Sequence, residues 1–256
     1  YVRYQGGSEF WDTDGDGLVV NKKKDKFRSF LQDAGMITGK AKDPKPTNFS
    51  DTVVKMGAQS ETAWALMLVN LVHNSVDYRW YINNLEVGNE YTGDMLKQML
   101  EPETPNDAKG HVKENIINFM KIALAKTPLG TAPIFASVDA KIKITKNGNE
   151  QISLNSMQKV SWINPVPEVI LYALYKFAEA CGDYYQFSLE TLMDDSIERD
   201  GVSPSRLFGL DRDDMVRILN GLSINYPEFI SASFTLDLDN ITLRDEKSSE
   251  DVLALF

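Results

Sequence analysis

The sequence AKIKITKNGNEQISL, at residues 140–154, contains a pattern that is typical of a β-hairpin. Its first six residues alternate between apolar and polar side chains, which is typical of a half-buried β-strand. Asn147 and Gly148 form a dipeptide that favours the tight turn of a hairpin. Residues 151–154 have the composition of a returning strand, so the sequence predicts a β-hairpin here.

Helical periodicity dominates the chain before this hairpin. We expect a helix that ends near Gly35, with this glycine as its left-handed cap, and a second helix capped by Ser50 or Asp51. Residues 40–46 are interpreted as a polar connector, and the aromatic segment at 78–82 fits either a strand or a helix. The clearest helix begins at Ser60, and its wide apolar stripe consists of Ala63, Trp64, Met67, Leu68 and Leu71.

Helices followed by a hairpin occur again in the last third of the chain. An apolar helix runs to Cys181, and Asp211 is a good N-cap for a helix that reaches Leu222. Residues 229–236 and 241–243 flank a turn and predict a second hairpin. Helices followed by a hairpin are the element order of a winged helix-turn-helix.

The helical segments and the two hairpins together predict an α+β fold that is mainly α-helical, with small β-hairpins and winged helix-turn-helix-like units. A change of pattern near residue 160 divides the chain into an N-terminal helical part with a hairpin, residues 1–160, and a C-terminal winged-helix-like part, residues 161–256. The boundary is soft, and one compact domain is the alternative.

Composition indicates a globular protein. Of the 256 residues, 43% are hydrophobic and 25% are charged, which is ordinary for a chain that buries a core. No run of about 18 uncharged apolar residues occurs, and the start does not have the layout of a secretory signal. We therefore expect a cytoplasmic protein that does not bind membranes. The sequence opens in mid-pattern without a methionine, which suggests a fragment of a longer protein.

The net charge of −10 is unevenly distributed. Residues 183–256 carry six Lys and Arg against sixteen Asp and Glu, whereas residues 1–47 carry nine against seven. An acidic surface repels phosphates, and nonspecific nucleic-acid binding depends on clustered Lys and Arg. The C-terminal part is therefore a poor nucleic-acid surface.

A partial calcium-loop pattern lies near the start of the chain. Asp12, Asp14 and Asp16, followed by Gly17, match the first half of such a loop, in which hard oxygen ligands alternate and a glycine makes the turn. The twelfth position is Lys23, where the loop requires a bidentate Glu. These aspartates are the candidate metal ligands, and an Asp- and Gly-rich turn without calcium is the reading that we favour.

A basic run follows this pattern. Lys22, Lys23, Lys26 and Arg28 would crowd the start of a helix and are the candidate contacts to nucleic acid or another phosphate. A solvated helix face without a ligand is the alternative.

The sequence does not contain a complete catalytic constellation. Cys181 is the only cysteine and fits a buried structural thiol, and His73 and His111 have no spacing that suggests a shared metal. Neither the dinucleotide-binding glycine fingerprint nor the P-loop spacing occurs. We expect no catalytic residue and no cofactor within this chain.

Several segments carry a family resemblance: residues 169–187, 200–204 and 229–243, and further upstream 8–11, 16–22 and 62–71. They resemble the C-terminal region of bacterial phosphoadenosine phosphosulfate reductase-like proteins. The resemblance implies an upstream catalytic domain that binds ATP or an adenylyl-sulfate nucleotide through an SGGxDS-type loop. Some members are similar to sulfurtransferases of DNA phosphorothioation and phage defence.

The resemblance implies a role but no catalytic residues, because neither that loop nor a reductase-type cysteine motif occurs here. We expect a non-catalytic accessory module of a sulfur-transfer protein, the parent being a reductase or sulfurtransferase. It would dock a substrate, DNA among the candidates, or a partner protein onto the upstream domain. A structural appendage that oligomerises without a ligand is the alternative.

Overall fold

The computed structural model describes residues 21–40, 43–106, 110–146, 150–194, 200–235 and 238–256. Within these ranges, side chains are described except at 21–26, 111–115, 118–119, 235 and 238.

The first described elements are helices and one short hairpin that the sequence did not predict. Thr47 organises this hairpin, because its Oγ1 donates a 2.6 Å hydrogen bond to the carbonyl of Gly35 and its N–H donates to the carbonyl of Met36. Thr47 also caps the following helix by accepting from the N–H of Ser50, so the expected caps, Ser50 and Asp51, were wrong. The elements are α1 (Asn21–Asp33), β1 (Ile37–Lys40), β2 (Asp43–Pro46), α2 (Asn48–Met56) and α3 (Glu61–Asn74).

The first half continues with a helix, a strand, further helices and the long hairpin. The aromatic segment at 78–82 is helical, because helical spacing buries Tyr78, Tyr81 and Ile82 on one side. The elements are α4 (Val76–Asn84), β3 (Glu90–Thr92), α5 (Gly93–Met99), α6 (His111–Lys126), α7 (Pro128–Thr131), β4 (Ala136–Ile144) and β5 (Glu150–Lys159). Their strands form an antiparallel sheet in the order β3-β5-β4.

The second half repeats this element order. Asp211 caps the longest helix after α8 as expected, by accepting a hydrogen bond from the N–H of Asp214. The elements are α8 (Pro167–Ala180), β6 (Gln186–Phe187), α9 (Leu189–Met193), α10 (Pro204–Phe208), α11 (Arg212–Asn225), β7 (Ile230–Thr235), β8 (Leu238–Leu243) and α12 (Ser249–Val252), followed by a 3₁₀ turn at Leu253–Leu255. The sheet order is β6-β8-β7, so in both halves the last strand is the central one.

Helices α3 and α8 form the centre of the core. They pack against each other, and Val169 to Tyr175 of α8 are all buried, as the apolar sequence of this helix predicted. Buried residues from both halves belong to one continuous hydrophobic cluster. The α+β prediction is confirmed, whereas the division near residue 160 stays a prediction. Within the described ranges, every helix is too short or too polar to span a membrane.

Candidate nucleic-acid interface

The β4–β5 hairpin forms a ribbon whose two faces differ in chemistry. Lys141 lies opposite Ser153 and Lys143 opposite Gln151, so these polar side chains share one face. Ile142 lies opposite Ile152 on the other face. A bulge between Asp139 and Ala140 shifts the register at the base of the ribbon.

The apolar face of the ribbon is turned towards α6. Lys126, the last residue of that helix, forms a 2.6 Å ion pair with Glu150, whose side chain is on the same face as Ile144 and Ile152. Leu154 on this face packs against the core. Lys141 and Lys143 therefore project from the side of the ribbon that faces away from α6.

A cavity of about 430 Å³ opens on the α6 side of the ribbon, and we call it the notch. Two lysines border it, Lys97 from α5 and Lys121 from α6. Lys97 lies 3.9 Å from the exposed carboxylate of Asp94, a separation at which an exposed ion pair is weak. The described residues that line the notch are Thr92, Gly93, Asp94, Lys97, Ile117, Lys121, Leu154 and Asn155.

The cations around the ribbon are accessible. Lys141, Lys143 and Lys146 are exposed, and in the described part of the chain no carboxylate lies within ion-pair distance of Lys141, Lys143 or Lys121. The neighbouring carboxylates have partners, since Glu150 pairs with Lys126 and Asp139 accepts a 2.9 Å hydrogen bond from Nδ2 of Asn155. The ribbon is thus a local basic surface in an acidic protein.

The matching surface of the second half has a different charge pattern. The guanidinium of Arg212 is 3.0 Å from Asp239 on β8, and that of Arg217 is 2.7 Å from Asp214 on the same helix. Asp211 and Asp213 add further negative charge at the start of α11. Because the arginines of α11 are paired with Asp239 and Asp214, this helix offers little attraction to a phosphate chain.

The site residues predicted from sequence lie elsewhere. Asp12, Asp14 and Asp16 lie outside the described residues. The backbone of Lys22, Lys23 and Lys26 belongs to α1, but their side chains are outside the described set, and Arg28 in the same helix is half-buried. Among the residues with described side chains, no group of three or more His, Cys, Asp or Glu is arranged to hold a metal ion.

A second cavity, of about 530 Å³, lies at the seam between the halves. Lys159 from β5 and Arg206 from α10 both border it. Lys159 is only 3% exposed and donates a 3.2 Å hydrogen bond to the carbonyl of Ile82, while Arg206 donates a 3.0 Å bond to the carbonyl of Asn83. Both cations therefore satisfy carbonyls at the negative end of α4, which is a structural role.

The contacts of His73 also indicate a structural role. Nδ1 lies 2.8 Å from the carbonyl of Val69, and Nε2 accepts a hydrogen bond of 3.3 Å from the N–H of Val202, an arrangement that requires the neutral ring. Burial, with help from the cations of Lys176 and Arg79, lowers the pKa of His73 to about 4. The ring joins α3 to the segment before α10 and does not face either cavity.

Sequence reasoning missed the ribbon as a site, although a signal was present. The alternation of Lys141 and Lys143 with Ile142 and Ile144 was used to predict a strand, and it also separates charge from apolar surface across the ribbon. The notch had no sequence signal, since Lys97, Lys121 and Asn155 meet only through the packing of α5, α6 and β5.

Comparisons of this chain with protein-family models, with curated proteins and with solved structures found no match.

Proposed function

We propose that the chain is a non-catalytic nucleic-acid-binding module built from two winged-helix-like units, and that the first unit makes the contact. The observation that carries this proposal is the ribbon, whose exposed lysines have no carboxylate partner in the described part of the chain. A two-stranded ribbon is one of the elements that nucleic-acid grooves accommodate.

The shared element order supports the winged-helix reading. From α4 onwards, and again from α8 onwards, the chain has a helix, a short strand, further helices and a hairpin, and the short strand pairs with the last strand of that hairpin. In the second half, α10 and α11 are separated by three residues that begin with Gly209 in the left-handed conformation, as in a helix-turn-helix. In the first half, α6 and the hairpin are the corresponding helix and wing.

Electrostatics support the choice of the first unit. Affinity for a phosphate backbone comes mainly from the release of counterions by Lys and Arg. The ribbon and the notch together present Lys97, Lys121, Lys141 and Lys143, whereas the arginines of α11 are paired with aspartates. The first unit would therefore bind nucleic acid, and the second unit would support the first.

The resemblance of the sequence to phosphoadenosine phosphosulfate reductase-like proteins supplies the wider context of the proposal. In that context the module would hold a DNA substrate near an upstream sulfur-transfer domain, and that domain would carry the catalysis. The absence of a reductase-type cysteine motif and of a nucleotide-binding glycine loop from this sequence agrees with such a division.

Fluorescence anisotropy with a labelled DNA duplex tests the proposal. We expect salt-dependent binding, and we expect the double variant Lys141→Ala/Lys143→Ala to weaken it about tenfold at low salt. The slope of log affinity against log salt should fall by about 2, since each lost phosphate contact removes about 0.9. The control is Arg212→Ala/Arg217→Ala, which removes the same charge from the second unit and should change binding little.

The alternatives predict different results. If Lys22→Glu/Lys23→Glu abolishes binding and the ribbon variant does not, the contact belongs to the basic run of α1. If the chain binds no nucleic acid at about 50 mM salt and sediments as a discrete dimer, it is an oligomerising appendage and our proposal is wrong.

A further inference from the structure

The outer edge of β4 is a strand edge that the proposed function does not use. The order of the sheet is β3-β5-β4, so within the described ranges no strand lies on the other side of β4. Ala136 is fully buried, but every residue from Ser137 to Ile144 is half-buried or exposed. The backbone N–H and C=O groups along such an edge are a template for pairing with another strand. We call residues 137–143 the β4 edge.

The charges along the β4 edge change sign partway along one face. Asp139, Lys141 and Lys143 alternate along the strand, and all three side chains are exposed on the same face. The extra residue of the bulge is Asn155 in β5, so the alternation of faces along β4 is not interrupted. Lysines on an edge strand usually discourage pairing. The aspartate that precedes them makes pairing favourable in one register, in which each Lys141 meets an Asp139.

We propose that β4 pairs antiparallel with β4 of a second copy of this chain, about a two-fold axis at Ala140. In this register Asp139 lies opposite Lys141 of the second copy, and the reverse contact forms as well, because a two-fold interface repeats each contact. On the apolar face, Val138 lies opposite Ile142 of the second copy, again twice. The two three-stranded sheets would then form one continuous sheet.

Other registers of the same pairing are less favourable. An axis at Lys141 would place this lysine against itself, and an axis at Asp139 would place the aspartate against itself. Like charges directly opposite each other in a sheet are destabilising. A shift of one residue would place the apolar face of one strand beside the polar face of the other. The sequence of the edge therefore favours the axis at Ala140.

The pairing also covers apolar surface. Ile142 is 47% exposed in the single copy, and Val138, its partner across the axis, already packs against the core. Contact between the two side chains removes apolar area from water. The paired segment is short for a protein interface, so we expect a weak dimer that forms at high protein concentration.

The inference goes beyond the proposed function and does not rest on it. In this register Lys143 lies opposite Ser137 of the second copy, so no carboxylate is directly opposite it. Lys143 therefore stays accessible to a phosphate when the edge is paired. A chain that binds no nucleic acid could form the same dimer.

Sedimentation velocity at protein concentrations of about 1 to 300 µM measures the dimer. We expect Lys141→Asp to weaken dimerisation about tenfold, because two like-charge pairs replace two ion pairs. The matched control is Lys143→Asp, the same change of charge on the same face, which should weaken it less than about threefold. The double variant Asp139→Lys/Lys141→Asp exchanges the two charges and should restore the dimer. Equal losses in Lys141→Asp and Lys143→Asp would overturn the proposed register.

A disulfide tests the position of the axis without changing a charge. In Ala140→Cys the new thiol meets its own copy, with Cα atoms about 4.5 to 5.5 Å apart, which is within disulfide range. The control is Ile142→Cys on the same face, whose two thiols would lie about 14 Å apart along the strands. Both variants are made with Cys181→Ser, since Cys181 is the only native cysteine.

Mild oxidation should give a covalent dimer for Ala140→Cys and none for Ile142→Cys. A covalent dimer of Ile142→Cys but not of Ala140→Cys would overturn the inference, as would a wild-type protein that stays monomeric at the highest concentration. These results would leave the proposed function standing, because nucleic-acid binding is measured separately by anisotropy. Loss of that binding would in turn leave the dimer standing.

Discussion

The hydroxyl of Tyr172 in α8 donates a 2.7 Å hydrogen bond to Oδ1 of Asn70 in α3. Nδ2 of the same asparagine donates a 3.1 Å bond to the carbonyl of Ala34 at the end of α1. Asn70 is 4% exposed, so a single buried amide connects three helices of the core. Gly35 adjoins it in the left-handed conformation, and the Cβ of any other residue there would lie 2.5 Å from Nδ2.

The first prediction concerns this amide. Tyr172→Phe should lower the free energy of unfolding by about 1 to 2 kcal/mol, because Oδ1 of Asn70 then lacks its donor in a buried site. Asn70→Ala should cost about 2 to 3 kcal/mol, because it leaves both the hydroxyl and the Ala34 carbonyl without this partner. Urea unfolding measures both values. Tyr184→Phe on an exposed tyrosine is the control, and equal losses in the control and in Tyr172→Phe would contradict the prediction.

The second prediction concerns pH. The pKa of His73 is about 4 in the folded protein and near 6.5 when unfolded, so the unfolded state binds the extra proton between these values. The stability contributed by the neutral ring is complete above about pH 6.5 and is lost as the pH falls towards 4, by about 3 kcal/mol at most. Unfolding free energies across this range measure the effect.

The matched variant for this prediction is His73→Gln, which keeps polar groups but does not titrate. Its stability should fall less steeply than that of the wild type between about pH 6.5 and 4. Parallel curves for the two proteins would show that the ring is not responsible. Asp33 and Asp77, whose pKa values are raised chiefly by burial, are unchanged in both proteins and cancel in the difference.

The third prediction compares two glycines. Gly209 has φ +63°, and a Cβ there would lie 2.8 Å from Cγ2 of Val87 and 3.1 Å from the carbonyl oxygen of Val160. Gly209→Ala should therefore destabilise the protein by about 2 kcal/mol. Gly221 lies inside α11 with open space around its Cβ position, and Gly221→Ala should stabilise by about 0.5 to 1 kcal/mol. Thermal melting of both variants gives the direction of each change in stability. The prediction is wrong if both variants are destabilised or both are stabilised.

The fourth prediction concerns Lys159. Lys159→Ala removes a buried stem and the bond to the Ile82 carbonyl, so we expect a loss of about 2 to 3 kcal/mol of unfolding free energy. Lys159→Met restores most of the volume without the charge and should lose less. Lys143→Ala, on an exposed residue of the preceding strand, should change stability by less than about 0.5 kcal/mol. If Lys159→Ala left the free energy of unfolding unchanged, the ammonium group of Lys159 would not stabilise α4.

The regular elements were predictable where one segment alone provides the pattern. The alternation at residues 140–154 specified the long hairpin, and the apolar run of α8 specified its burial. Strands β3 and β6 have three residues and two, too few for any periodicity, and they exist because β5 and β8 supply their hydrogen bonds. The β1–β2 hairpin contains Pro44 and Pro46, which act against a strand prediction.

The candidate site was only partly predictable for the same reason. Lysines on a predicted strand can be located from sequence, but the notch requires Lys97, Lys121 and Asn155 to converge from three elements. The cap of α2 shows the problem on a smaller scale. Thr47, Ser50 and Asp51 all have suitable side chains, and the choice of Thr47 depends on its bond to Gly35 on the preceding turn.

The end of α4 is satisfied by Lys159 from the first half and by Arg206 from the second. A substitution at either cation therefore changes the environment of a helix that also depends on the other. The two halves, although they repeat one element order, cannot accumulate substitutions independently at this point. Among homologues we expect the residues at positions 159 and 206 to covary with each other and with residues in the last turn of α4.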